Sequence, residues 1–465
     1  MNSENKHSQP FAIVLSVTII LVIASQFTIP LNWMGYEIKK MNPFSDIVSK
    51  GKTKKVPLTA KVITSAVVSK DSSLIAVREA DSTNIYDFGR EGVSSLAHFF
   101  QALNKVKKQK SKVRIAYFGD SMIEGDLISQ DLRSSMQDAF GGHGVGFVPV
   151  TSIVAGFRKS IIHSFGNWTT YNLLDTVPFH HNLGISGYSF IPQTVNDFFD
   201  VSATDSWVKY TSVKQKHLDK FYKTKLLYGK SDGENYVLIN NVTYKLDGIK
   251  AVNQLTLNSK SAYSTVHASF RCKTSLDVFG FSMESDTGAF VDNFSFRGNS
   301  GLPISKIKQS IYSGTNDCLN YDLIILEYGL NAVNSKVTDY SWYERGMQRV
   351  IKHLKESFPG VSILLISVGD KGYRVNEGAY ETDPAVPLFV DVQMRMAEEN
   401  NLAFWSLYNA MGGSGSMVKW VEGDTVLANK DYTHFNFRGA HKVGKLLFNK
   451  LMTEYNDYNK KQNKL

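Results

Sequence analysis

The chain has 465 residues, 43% of them hydrophobic, with a formal net charge of +9 and two cysteines. That composition excludes global disorder and leaves room for more than one domain. The basic excess gathers in lysine runs (Lys50 to Lys55, Lys105 to Lys112, Lys460 to Lys464) with no interleaved aromatics, so it predicts solvated segments and no nucleic-acid surface.

From Phe11 to Leu31 there is no charged residue, and 21 residues are just enough to span a bilayer. Trp33 and Tyr36 follow at interface depth. A cleaved signal peptide competes for the same residues, with Ile23-Ala24-Ser25 as its cleavage pattern. The reading adopted is an uncleaved transmembrane anchor over residues 1–36. Charge does not settle its orientation: Lys6 precedes it, and Lys39 and Lys40 follow. Residues 37–90 read as a lysine-rich stalk.

A helix is expected from residue 91 to 106, with Val93, Leu96, Phe99, Phe100 and Leu103 on one face. Val113 to Phe118 is a short buried strand, and Leu127 to Phe140 an amphipathic helix. After a break come strands at Leu323 to Tyr328, Val361 to Val368 and Leu402 to Leu407. They alternate with helices at Ser341 to Phe358, Val386 to Asn401 and Phe437 to Tyr455. Strands that are apolar throughout, alternating with amphipathic helices, mean an α/β fold with a parallel sheet covered on both faces. Residues 200–310 break the rhythm with short alternating runs, such as Ala289 to Phe296, and predict an all-β sandwich or jelly roll inserted between core parts 91–199 and 311–465. Cys272 and Cys318 could pair or stay free; neither has a metal ligand at suitable spacing, so no metal is expected.

Four separated pieces could form one site. Gly119-Asp120-Ser121 ends a strand, where a serine N–H can face a carbonyl. Position 123 is Ile, so the Gly-x-Ser-x-Gly elbow is absent. Gly184-Ile185-Ser186-Gly187-Tyr188 offers a glycine N–H that can approach an oxyanion. Gly329-Leu330-Asn331 follows a buried strand, where parallel sheets bind ligands. Asp431-Tyr432-Thr433-His434 spaces a carboxylate to orient an imidazole, whose other nitrogen can activate Ser121. Each piece alone reads as a turn or cap; the four together, near strand ends, read as a hydrolytic site.

These blocks, in this order, resemble those of the GDSL/SGNH hydrolases. Gly119 to Asp126, Leu132-Arg133, Phe140 to Phe147, Ala410 to Met417 and Asp431 to Phe435 resemble the bacterial peptidoglycan O-acetylesterase branch, over roughly residues 112–452. The resemblance implies a flavodoxin-like three-layer α/β/α core carrying a carbohydrate-binding-like sandwich. It also implies a Ser121, Asp431 and His434 triad, an oxyanion hole from Ser121, Gly187 and Asn331, and no cofactor. It implies release of acetyl groups from an envelope glycan such as peptidoglycan, and that function places the domain outside an inner membrane, periplasmic or extracellular; the anchor and the lysine-rich stalk are not part of the family's pattern. An O-acetyltransferase with the same triad, or a non-catalytic glycan-binding protein, are the alternatives. Met122 stands where close esterase relatives often carry His.

Overall fold

The computed structural model describes residues 83–195, 205–376 and 378–464. The expected anchor, and the stalk up to residue 82, lie outside the described residues. Among the described residues no helix is long and apolar enough to cross a membrane.

The core is a six-stranded sheet. Its strands are β1 (Ile85–Asp87), β2 (Lys112–Gly119), β3 (Gly288–Ser295), β4 (Leu323–Glu327), β5 (Ser362–Ile366) and β6 (Ala403–Trp405). Their order across the sheet is β1-β6-β5-β4-β2-β3, parallel except for β1. Period-2 alternation sends Ala116 and Phe118 to one face of β2, and Val113, Ile115 and Tyr117 to the other. The first face packs under α3 (Gln309–Leu319), α4 (Ser341–Ser357) and α5 (Ala385–Glu399). The second packs under α1 (Ala97–Lys108), α2 (Ser129–Phe140) and α8 (Phe437–Gln462), with the short α6 (Leu407–Met411) and α7 (Ser416–Glu422) nearby. This is the three-layer arrangement that the apolar strands predict. Burying one such Leu, Ile or Phe contributes about 1.5–3 kcal/mol, which is why the strands tolerate no solvated face.

Four boundaries differ from the sequence expectation, two ahead of the insert and two at its ends. Ile85–Asp87 is a core strand rather than stalk, antiparallel to β6. The first helix starts at Ala97 because the Asp87 carboxylate accepts the N–H groups of Gly89 (3.0 Å) and Ser95 (2.9 Å), which holds the intervening residues in a turn and leaves Val93 exposed.

The insert is larger at its start and smaller at its end than residues 200–310. One antiparallel sheet joins Val242–Gly248, Ser231–Ile239, Thr265–Cys272, Ser206–Thr211 and Ile162–Gly166. The facing sheet joins Asn253–Tyr263, Phe221–Tyr228, Val278–Glu284, Tyr188–Pro192 and Trp168–Asn172, with Gly146–Val148 alongside. Phe190, Val208, Leu226, Val237, Phe270 and Phe281 fill the space between. The sandwich thus occupies the connection from α2 to β3, and β3 itself belongs to the core. β3 imitates a half-solvated strand because Asp292 interrupts it. Yet that carboxylate is fully buried, accepting from Arg114 (2.7 Å), Tyr321 Oη (2.7 Å) and the Phe147 N–H (2.9 Å). Arg114 also holds Glu284, the last residue of the sandwich. Burial alone would raise Glu284, but Arg114, Lys112 and Lys225 beside it pull its carboxyl down to about 2. Cys272 and Cys318 are both free thiols, and burial pushes Cys272 up to about 12.

Candidate active site

The parallel strands end together, and their ends assemble the site. Gly119 at the end of β2 lies opposite Ser295 of β3 and Glu327 of β4. Ser121 follows two residues later and opens the turn that contains Glu124–Asp126. Its Oγ lies 2.9 Å from His434 Nε2. His434 Nδ1 lies 2.8 Å from Asp431 Oδ2. With Nδ1–H donated to the carboxylate, Nε2 keeps its lone pair and accepts the Ser121 hydroxyl proton. The 2.9 and 2.8 Å separations fall within the range required for proton transfer.

Asp431 is organised by its own turn. Its Oδ1 accepts the N–H groups of Thr433 and His434, both at 3.0 Å. Partial burial opposes its ionisation, but the His434 N–H and imidazole outweigh it and hold the carboxyl below its ordinary value. Tyr432, between the two, takes a positive φ of 53°. Its ring stacks on Tyr380 at 3.7 Å and 7°, its hydroxyl donates to Glu422 at 2.5 Å, and its carbonyl accepts the Gly372 N–H at 2.7 Å. The hairpin Gly372–Asn376 with Ala379–Thr382 thus braces the loop.

Beneath the nucleophile lies a buried polar layer that the sequence blocks do not announce. Asp120 is 1% exposed and accepts from the Met122 N–H (3.0 Å) and Asn331 Nδ2 (3.1 Å). Burial raises its carboxyl to about 6, against those bonds and the nearby His434. Glu327, fully enclosed on the next strand, is raised to about 8 by burial and accepts the Tyr117 hydroxyl. Met122, Leu330, Val368 and Gly369 line a narrow pocket with Asp120, Glu327 and Thr433.

The expected oxyanion donors fare unequally. The Ser121 N–H has no protein acceptor among the described residues. Asn331 stands at the end of β4, following Gly329, whose φ of 135° few other residues adopt. Its amide donates to Asp120 Oδ2 and to the Asn299 carbonyl, both at 3.1 Å, so it reaches an oxyanion only by exchanging one of these bonds. Gly187 does not serve. Its N–H is spent in a tight turn on the Gly184 carbonyl at 2.9 Å, and it precedes a sandwich strand, packed against Leu173.

Gly298 is the better-placed glycine. The Phe296 N–H donates to the Gly119 carbonyl at 3.0 Å, and the Asn299 carbonyl accepts from Asn331, so Gly298 sits between the nucleophile strand and Asn331. Its φ is 75°, open space lies where a Cβ would stand, and its N–H has no acceptor among the described residues. A glycine just past a buried strand is a readable signal, but it is lost when Asp292 assigns that strand to the sandwich. No group of three or more His, Cys, Asp or Glu side chains able to hold a metal occurs among the described residues.

No protein-family model and no curated protein matches the chain. Among solved structures, one described as a peptidoglycan O-acetylesterase in action aligns with 80% of this chain and 99% of its own, at 20% identity and a TM-score of 0.64. Two further structures overlap in part. A putative GDSL-like lipase from Parabacteroides merdae covers 35% of this chain and 72% of its own (15% identity, TM-score 0.28). A family two carbohydrate esterase from Clostridium thermocellum covers 63% and 98% (9% identity, TM-score 0.27). Overlaps as weak as these two have no bearing on function. The chain therefore shares the fold of a solved peptidoglycan O-acetylesterase, with Ser121, His434 and Asp431 in hydrogen-bonding register at the carboxyl edge of its parallel sheet.

Proposed function

We propose that the protein is a serine esterase that releases acetyl groups from an envelope glycan, with peptidoglycan as the first candidate. The observation that supports this reading most is the unbroken chain from Ser121 Oγ to His434 to Asp431, at 2.9 and 2.8 Å. Ser121 Oγ attacks the acetyl carbonyl while His434 Nε2 takes its proton. The N–H groups of Ser121 and Gly298 face the developing oxyanion, with the Asn331 amide joining them once released. His434 returns the proton to the departing sugar oxygen, leaving acetyl on Ser121. Water, deprotonated by the same imidazole, then frees acetate. The uncharged segment Phe11 to Leu31 supports a membrane anchor, and an envelope-glycan substrate is the ground for placing this domain outside an inner membrane, which cell fractionation and protease accessibility of the full chain would test.

Acetate release from acetylated peptidoglycan and from an aryl acetate is the direct assay. Ser121→Ala should lower both by roughly 10⁴- to 10⁶-fold. Equal rates for variant and wild type would end the proposal. Turnover of the aryl ester alone would remove peptidoglycan and keep the esterase. Acetylated product appearing on a supplied oligosaccharide, in place of free acetate, would mark a transferase.

A further inference from the structure

A buried charge imbalance lies beside the nucleophile turn. Asp126, on that turn, is fully buried. Arg133 grips it with both prongs, Nη1 to Oδ2 at 2.8 Å and Nη2 to Oδ1 at 2.6 Å, and Ser129 Oγ donates to Oδ1 at 2.6 Å. That set is already complete: one carboxylate, one bidentate guanidinium. Yet Arg158, its side chain only 9% exposed, brings a second guanidinium to the same Oδ2 at 3.2 Å. Its Nε donates to Ser160 Oγ at 2.9 Å, and Ser160 in turn donates to Asp126. Two cations share one anion. Burial and the repulsion of Arg133 both push the Arg158 guanidinium down, with Asp126 opposing them. A surplus buried charge costs stability, and the fold does not need it to neutralise Asp126.

Arg158 lines a groove of about 560 Å³. The groove begins at Glu124, Gly125 and Asp126, just after Ser121, and at Ser295 to Arg297, just before Gly298. It runs onto the sandwich past Thr170, Asn172 and Tyr188. The other charges along it do not relieve Arg158. Glu124 and Arg297 pair with each other at 2.9 Å, and exposed Asp175 accepts the Asn172 N–H at 2.9 Å. No second carboxylate contacts Arg158 among the described residues.

We propose that this groove is a subsite for an acidic sugar, in which Arg158 pairs with a carboxylate carried by the glycan close to the acetylated residue. This rests on the esterase reading and narrows its substrate to acidic glycans. The planar fork of a guanidinium matches a carboxylate, and the incoming anion restores the balance that Arg133 and Arg158 upset. The groove opens at Glu124 on the nucleophile turn and at Ser295, which pairs with Gly119 two residues before Ser121, so on this proposal the recognised sugar lies beside the ester.

The test is calorimetric binding to the full chain carrying Ser121→Ala, so that nothing is turned over. A hexuronic-acid oligosaccharide is compared with the same oligosaccharide after its carboxyl groups are reduced. The acidic form should bind about 10- to 100-fold more tightly, the worth of a charge-assisted hydrogen bond. Adding Arg158→Gln should erase that preference, and Arg158→Lys should keep part of it. Equal binding of the two forms, no binding of either, or a preference that survives Arg158→Gln overturns the proposal. So does inorganic phosphate displacing the oligosaccharide at equal concentration, which would mark a general anion site. If Arg158→Gln does not fold, the wild-type groove and Arg158→Lys still decide. The aryl-acetate assay is independent: its failure would remove the esterase and leave the binding result standing.

Discussion

The two partners of the Ser121–His434 bond are held in opposite ways. Ser121 rises from a wall of strand ends, with Asp120 1% exposed beneath it and Glu327 enclosed beside it. His434 and Asp431 sit on an open loop, their side chains 37% and 49% exposed. The first arrangement is fixed by the whole core. The second is fixed locally, by two N–H bonds onto Asp431 and by a braced Tyr432. The difference teaches that position and protonation are handled separately. Burial sets the nucleophile's place and pushes nearby carboxyls up, while exposure and hydrogen bonding keep Asp431 ionised.

Substitutions on the two sides should therefore behave differently. The largest effect on the open side is Asp431→Asn, which offers His434 the wrong hydrogen-bond partner and should cut kcat by roughly 10⁴-fold. Circular dichroism and Tm should stay near wild type, because the site is exposed. A collapse of Tm would show that the loop is structural.

On the strand-end side, Asn331→Ala should lower kcat by roughly 10²- to 10³-fold, with KM changed far less. Gly187→Ala separates the two glycines. At a φ of 79° and with Leu173 2.6 Å from the new Cβ, it should cost about 1–3 kcal/mol in denaturant unfolding. The kcat of its folded fraction should match wild type. A matching loss of kcat would return Gly187 to the oxyanion hole and displace Gly298.

Asp120 sharpens the contrast through pH. Its carboxyl lies at about 6 in the fold against 3.8 outside it, so the folded chain holds the proton more tightly. Stability from this group is then lost as pH rises from about 4 to about 6, and is level above that. Asp120→Asn has no charge to bury. Whatever fixed cost the amide adds, the variant should gain on wild type across that window, by on the order of 3 kcal/mol in all. A difference in Tm that does not change with pH would contradict it. Smallest is Tyr380→Ala, which removes the stack under Tyr432 and should lower kcat by up to about 10-fold, the worth of one aromatic pair.

By itself the sequence determined the three layers and the members of the candidate triad. Strands such as Leu323–Glu327 are apolar throughout because both faces are covered, and that pattern is local. Ser121, Asn331, Asp431 and His434 were legible because strand ends and an Asp-x-x-His turn are local signals as well. Only the tertiary structure decided where the sandwich begins and ends, and which glycine stands by the nucleophile. The sandwich's end and the choice of glycine turn on Asp292, a charge that looks solvated and is instead paired deep inside with Arg114 and Tyr321, partners supplied by β2 and the entry to β4. The Arg133–Asp126–Arg158 cluster was hidden for the same reason: its members come from the nucleophile turn, α2 and the insert, and only folding brings their charges into one buried place. Pairing across such distances leaves no periodicity in the chain, so the residues that look most polar in the sequence are the ones whose place only the fold could settle.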